Sequence, residues 1–198
     1  MRKRNARFLQ VLGIVVGLVV GILVGKVAFS VLFDNDLELP AETAWQTVTD
    51  GPSGVAVELP GPADSRTIST SDGAGGTVNI RFYTVGLGDN DASVGLAVAE
   101  LRSSALEMSD EQRLLGALQG AANNIKGTIA RRQAATVEAR PALDGEVTFT
   151  RDGVTGKALM RFVLADGALV QLQTIGKPSD AKTLNRVHER VVNSLKLG

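Results

Sequence analysis

The stretch Asp144–Gly176, DGEVTFTRDGVTGKALMRFVLADGALVQLQTIG, decides the fold. Asp-Gly recurs in it at 144–145, 152–153 and 166–167. This dipeptide suits tight hairpin turns, whose two central residues both need positive φ. Strands are therefore predicted near 146–151, 156–165 and 168–175, running as an antiparallel meander. Pro178-Ser179-Asp180 then opens a segment with Leu184, Val187, Val191 and Leu195 at helical spacing. That helix is expected to close the domain by laying its apolar stripe on the sheet.

Working outward, Val55, Val57 and Leu59 alternate before Pro60, and Val78, Ile80 and Phe82 alternate after the turn-forming run Asp72-Gly73-Ala74-Gly75-Gly76. Period-two alternation gives each segment one buried face, and the two are expected to be neighbouring strands. Two helical patterns follow. The first runs through Val94, Ala97/Val98, Leu101 and Ala105, the second through Leu114/Leu115, Leu118, Ala121/Ala122 and Ile125. Ser109 with Gln112 forms a capping box for the second, and Gly127 can end it. Arg131-Arg132 is read as a solvated connection between that helix and the next strand. The sum is an α+β domain without internal repeats.

A Trp45-containing start, a strand ending in Leu-Pro (Gly54-Val-Ala-Val-Glu-Leu-Pro60), paired helices, a hairpin-rich second half and a closing helix with Val191-Val-Asn-Ser194 resemble the Mog1/PsbP-like group. That group includes exported actinobacterial proteins of the LpqN type. The resemblance covers roughly residues 45–197 as a pattern of elements. It implies an α/β/α sandwich around an antiparallel sheet, and accessory, protein-binding roles without known catalysis. No functional residue of the group transfers to a numbered position. The lipid-carrying cysteine found in some similar proteins is missing, and a membrane helix would replace that anchor.

The N-terminus supplies such a helix. Phe8–Gly25 is interrupted only by Gln10, and at about 1.5 Å per residue these eighteen positions reach roughly 27 Å, close to a ~30 Å hydrocarbon core. Val27–Phe33 extends it if it tilts. Arg2, Lys3, Arg4 and Arg7 precede the run, and Asp34, Asp36 and Glu38 follow it. Positive charge stays in the cytoplasm, so the N-terminus is expected inside and the rest of the chain outside. The expected organisation is a cytoplasmic basic tail at 1–7, a transmembrane signal anchor at 8–33, a linker at 34–44 and an extracytoplasmic domain at 45–198. A cleaved signal peptide is the competing reading, because Ala28-Phe29-Ser30 offers small residues for cleavage after Ser30, but the apolar run exceeds the usual ~7–15 residues of a signal core. Both readings export the domain. Gly13, Gly17, Gly21 and Gly25 lie on one strip of the helix and would let another backbone approach closely, in a homodimer or against another membrane helix.

Composition narrows function by exclusion. The chain has no cysteine, so disulfides, thiolate metal sites and a catalytic thiol are all ruled out. Residues 34–198 carry 16 basic against 21 acidic side chains, a formal net of −5, which argues against a nucleic-acid partner. The single histidine, His188, sits beside the apolar stripe of the last helix and is read as a packing residue. Ser179-Asp180-Ala181-Lys182 matches Ser-x-x-Lys without its companion motifs, so a helix cap explains it better. Gly86-Leu87-Gly88 lacks the third glycine of a dinucleotide loop, because position 91 is Asp. Asp34-Asn35-Asp36 and Asp89-Asn90-Asp91 lack the glycine and distal Glu of a calcium loop.

No catalytic, cofactor or metal residue is therefore assigned. The expectation is a membrane-anchored, non-enzymatic accessory domain that contacts membrane lipid through its helix and binds an envelope protein. A small-ligand or lipid carrier, released by cleavage or still anchored, is the alternative, and a hydrolase built on unpaired acids comes third. Partner binding predicts an exposed apolar patch, whereas a carrier predicts a deep, mostly apolar cavity.

Overall fold

A computed structural model describes residues 37–71, 77–88, 91–101 and 108–198. The predicted membrane helix, its glycines Gly13, Gly17, Gly21 and Gly25, and the basic flank Arg2, Lys3, Arg4 and Arg7 lie outside these residues. Among the described residues no helix is long and apolar enough to cross a membrane.

The strands are β1 (Gln46–Thr49), β2 (Ala56–Leu59), β3 (Asp64–Ser71), β4 (Thr77–Leu87), β5 (Ala92–Glu100), β6 (Thr128–Val137), β7 (Arg140–Arg151), β8 (Val154–Ala165) and β9 (Ala168–Gly176). Helix α1 (Asp110–Asn124) separates β5 from β6, and helix α2 (Ala181–Ser194) follows β9. β1 and β2 form a separate ribbon, while the other seven make an antiparallel sheet in the order β3-β4-β5-β9-β8-β7-β6. The last strand thus sits between β5 and β8 and joins the two halves of the chain.

The meander of β7, β8 and β9 forms as expected, but its turns differ in kind. Asp152 and Gly153 both take positive φ (52° and 81°), whereas at the next turn only Gly167 does (70°). Asp144-Gly145 is not a turn. It lies inside β7, where Asp144 faces Arg161 and Gly145 faces Met160. A Cβ on Gly145 would fall 2.4 Å from Leu118 Cδ1 of α1, so this glycine serves close helix–sheet approach. The turn before β7 is Glu138-Ala139, both at positive φ (47° and 64°), and it makes β6 a full strand where a solvated connection was expected at Arg131-Arg132.

The first helical pattern, through Val94, Ala97/Val98 and Leu101, is also corrected. Residues 92–100 are β5, and Ala105 lies outside the described residues. Val94, Leu96 and Val98 pack on one face, Ala97 and Ala99 on the other. A central strand buried on both faces is apolar throughout, and such a run matches a helical period by chance. Val55/Val57/Leu59 and Val78/Ile80/Phe82 do lie on strands, but these are not neighbours. β2 pairs with β1, and β4 pairs with β3 and β5. β3 escapes a hydrophobic reading because Ile68 is its one large apolar residue.

Both helices are where the sequence places them, one on each face of the sheet. The α1 capping box is complete, with Gln112 N donating to Ser109 Oγ (3.3 Å) and Ser109 N donating to Gln112 Oε1 (3.2 Å). Lys126 (φ 54°) ends the helix in the left-handed conformation. Its N–H bonds Asn123 O, and Gly127 N bonds Ala122 O at 2.8 Å, the paired closure of a Schellman end. Helix α1 buries Leu114, Leu118, Ala121 and Ala122 against Val147, Phe149, Met160 and Phe162. Helix α2 buries Leu184, Val187 and Val191 against β9, β8 and β2, in a core with Val57, Leu59, Leu96 and Leu172. Each fully buried Leu or Val there contributes about 1.5–3 kcal/mol.

Candidate functional site

Helix α2 crosses β9 and β8 and stops short of β7 and β6, so that side of the sheet's far edge remains open. An open groove of about 300 Å³ results, lined by Arg131, Asp144, Glu146 and Arg161 from the strands and by Asn185 and His188 from the helix, among others. Alternation puts these strand residues together: in register, Arg131 faces Glu146, Gln133 faces Asp144, and Asp144 faces Arg161. Arg161 Nε and Nη2 donate to the two oxygens of Asp144 at 2.6 and 2.7 Å. Lys157 Nζ lies 2.9 Å from Glu146, and Arg131 Nη2 donates to Gln133 Oε1 at 2.7 Å.

His188 forms the inner wall. Its Nδ1 lies 3.1 Å from Thr174 Oγ1. Burial pushes its pKa down to about 4; Asp144 nearby pulls it back up in part, and Arg161 adds a smaller downward push. The ring is therefore neutral at physiological pH. The Thr174–His188 pair resembles a hydroxyl beside a base, but Thr174 is fully buried. Its oxygen cannot reach a substrate, and the pair serves packing, as the sequence suggests for this histidine.

The opposite side of β6 carries a larger open groove of about 580 Å³, lined by Leu114, Leu115, Ala134, Pro141 and Leu143, with Asp110 and Glu111 at its rim. A third, of about 280 Å³, continues it past Ile129 and Arg132. Among the described residues the exposed large hydrophobic side chain is Leu39, so the broad apolar patch that partner binding predicts is not found there. The open surface around β6 was not legible in the sequence.

A second polar cluster lies at the turn of the β1–β2 ribbon. Asp50 is fully buried, and its carboxylate accepts from Arg81 Nε (2.6 Å), Arg81 Nη2 (2.9 Å), Tyr83 Oη (2.9 Å), Ser53 Oγ (2.5 Å) and Ser53 N (3.2 Å). Burial pushes the Asp50 carboxyl up, but the hydrogen bonds from Arg81, Ser53 and Tyr83 outweigh it and hold the pKa below 3.8. Arg81 Nη1 also donates to Glu100 at 2.6 Å. These bonds fasten the ribbon to β4 and leave Asp50 no free lone pair for chemistry. Arg190 of α2 does similar work nearby: it stacks 4.1 Å from the Trp45 ring centroid and donates to Glu42 and Glu58. On the α1 face of β5 and β9, Gln171 Nε2 donates to Gln173 Oε1 at 3.0 Å. Gln171 Oε1, Gln173 Nε2 and Ser93 Oγ are buried there without partners.

The remaining sequence candidates do not converge. Asp180 does not cap α2 with its side chain. Its Oδ1 accepts from Leu37 N at 3.3 Å, which seats Leu37 of the expected linker, while Ser179 and Lys182 are exposed. Gly86 and Leu87 belong to β4, which turns directly into antiparallel β5, so no helix follows to hold a dinucleotide. Asp91 Oδ2 is 3.6 Å from Lys177 Nζ, and Asp34, Asn35, Asp36, Asp89 and Asn90 lie outside the described residues. Among the described residues, no cluster of three His, Asp or Glu could hold a metal ion.

No protein-family model matches the chain, and no curated protein matches it. Solved structures do. The solution structure of cyanobacterial PsbP (CyanoP) from Synechocystis sp. PCC 6803 overlaps 83% of this chain and 99% of its own, with TM-score 0.57 and 11% identity. Looser overlaps are found with PA94 of Pseudomonas aeruginosa, a protein of unknown function (TM-score 0.48, 11% identity, 78% of this chain and 97% of that one). LpqN of Mycobacterium tuberculosis, involved in cell envelope biogenesis, is looser again (TM-score 0.42, 16% identity, 83% and 92%). The fold is of the Mog1/PsbP-like type, with one helix on each face of an antiparallel sheet.

Proposed function

We propose that this chain is a membrane-anchored accessory protein whose α+β domain binds another envelope protein outside the cytoplasmic membrane, without catalysing a reaction. The location rests on the apolar run Phe8–Gly25 with its basic flank, read by the positive-inside rule. The anchor spans 8–33 with 1–7 in the cytoplasm, and Gly13, Gly17, Gly21 and Gly25 give it a strip for packing against a second helix, its own copy included. The binding role rests above all on the surface around β6: open grooves flank a sheet edge, while the polar clusters elsewhere are internally satisfied or buried. A carrier needs a deep enclosed cavity, and the grooves around β6 are open ones.

In-cell crosslinking from surface positions of the domain tests this reading. A defined envelope protein crosslinked reproducibly from neighbouring positions is the expected result. Recovery of lipid or a small molecule alone would replace it with the carrier reading. For the anchor, carbonate extraction that released the chain from membranes would remove the transmembrane segment from the proposal.

A further inference from the structure

Among the described residues, β6 is the edge of the seven-stranded sheet and pairs with β7 alone. The outward N–H and C=O groups of such a strand are free to template another one. Most of its side chains are exposed. A register shift between Ile129 and Arg131 leaves Arg131–Val137 as the regular stretch. Alternation sends Arg132, Ala134 and Thr136 to the α1 side, and Arg131, Gln133 and Ala135 to the α2 side.

The two sides differ in chemistry. The α1-side groove is apolar between Leu115, Pro141 and Leu143, with Arg132 of β6 and Asp110 and Glu111 of α1 offsetting one another around it, so it accepts aliphatic side chains. On the α2 side, Arg131 stands at the mouth of the polar groove. Its bond to Gln133 is exposed, so it can re-pair with a carboxylate at little cost.

We infer that the outer edge of β6 takes an extended segment of the partner protein as an added strand, with aliphatic side chains on the α1 side and acidic ones beside Arg131. This rests on the accessory reading above and names its surface and the chemistry of its partner. Backbone bonds supply affinity and the alternating grooves supply selectivity, which explains recognition without a broad apolar patch. A second copy of β6 fits less well, since it would offer the α1-side groove Arg132, Ala134 and Thr136, none of them a large aliphatic side chain.

The test uses the full chain with labelled amides and three synthetic octapeptides: alternating Leu and Glu, alternating Leu and Lys, and the Leu/Glu peptide N-methylated on alternate residues to block strand pairing. The Leu/Glu peptide should protect amides of Arg131–Val137 from exchange while leaving Asp64–Ser71 on the opposite edge unchanged. The N-methylated peptide should not bind. Arg131→Glu with Arg132→Glu should weaken Leu/Glu binding by about tenfold and shift preference to Leu/Lys, as reversed local charge requires. Protection elsewhere, none at millimolar peptide, or equal binding by the reversed variant would overturn the inference. So would concentration-dependent protection of β6 without peptide, which would assign the edge to a second copy. Crosslinks in cells separate the two levels: capture from Glu189 on α2 but not from Thr136 ends the edge inference and keeps the accessory role, whereas capture from no surface position ends both.

Discussion

Two arginine–aspartate pairs in this domain have nearly the same geometry and very different surroundings. Arg81 grips Asp50 through Nε and Nη2 at 2.6 and 2.9 Å, and Arg161 grips Asp144 through the same atoms at 2.6 and 2.7 Å. Asp50 is 0% exposed with Arg81 at 12%, while Asp144 is 37% exposed with Arg161 at 19%. Distance alone would rank them equal. Burial separates them, because an ion that has left water depends wholly on its partners, whereas one at the rim of a groove can exchange its partner for solvent. The first pair is a fastening, and the second is part of a surface that can rearrange around a ligand.

The sharpest way to break this comparison is Asp50→Ala, which strands Arg81 and unpins the β1–β2 ribbon. It should cost about 3–5 kcal/mol in urea unfolding; a loss as small as that of Asp144→Ala would show that burial does not rank the pairs. Arg81→Lys comes next, at about 1.5–3 kcal/mol, because an ammonium cannot bridge Asp50 and Glu100 with a planar fork.

His188 tests the groove wall. Its folded pKa of about 4 lies below the ordinary 6.5, so between these values the unfolded chain binds the extra proton. The resulting stability is complete above about pH 6.5, falls as pH drops toward 4, and levels off below. Its size is about 1–3 kcal/mol, and comparison of unfolding midpoints across this window for His188→Gln should show the slope reduced. Smallest is Asp144→Ala, expected below about 1 kcal/mol, with the difference shrinking further in high salt.

Much of the frame could be read in advance, and the reasons differ by element. The Ser109/Gln112 box and the Leu184/Val187/Val191 stripe are local signals, complete within one element, and both read correctly. Asp152-Gly153 was legible because its neighbours are strands that need a turn. The same dipeptide at 144–145 misled, since its meaning depends on Leu118 pressing on Gly145 from a distant helix. β5 misled for a related reason: residues with neighbours on both faces lose the alternation that marks a strand. The Asp50–Arg81–Tyr83 cluster left no local trace, because its members meet only when β4 lies against the ribbon. The grooves around β6 were hidden too, since reading Arg131-Arg132 as a connection removed the strand that creates them.

The placement of β9 between β5 and β8 bears on how the chain comes to fold. Ser93 faces Ile175 and Leu96 faces Leu172, so the central joint of the sheet is made only after nearly the whole domain has been synthesised. Until then the two halves each present a bare, strongly apolar margin, and pairing them closes a long loop at an entropic cost met late. Under the export proposed above, such an order of events would be an advantage. The strand that commits the domain to a compact shape is made after the other eight, which would leave the earlier part uncommitted while it is threaded through a narrow pore.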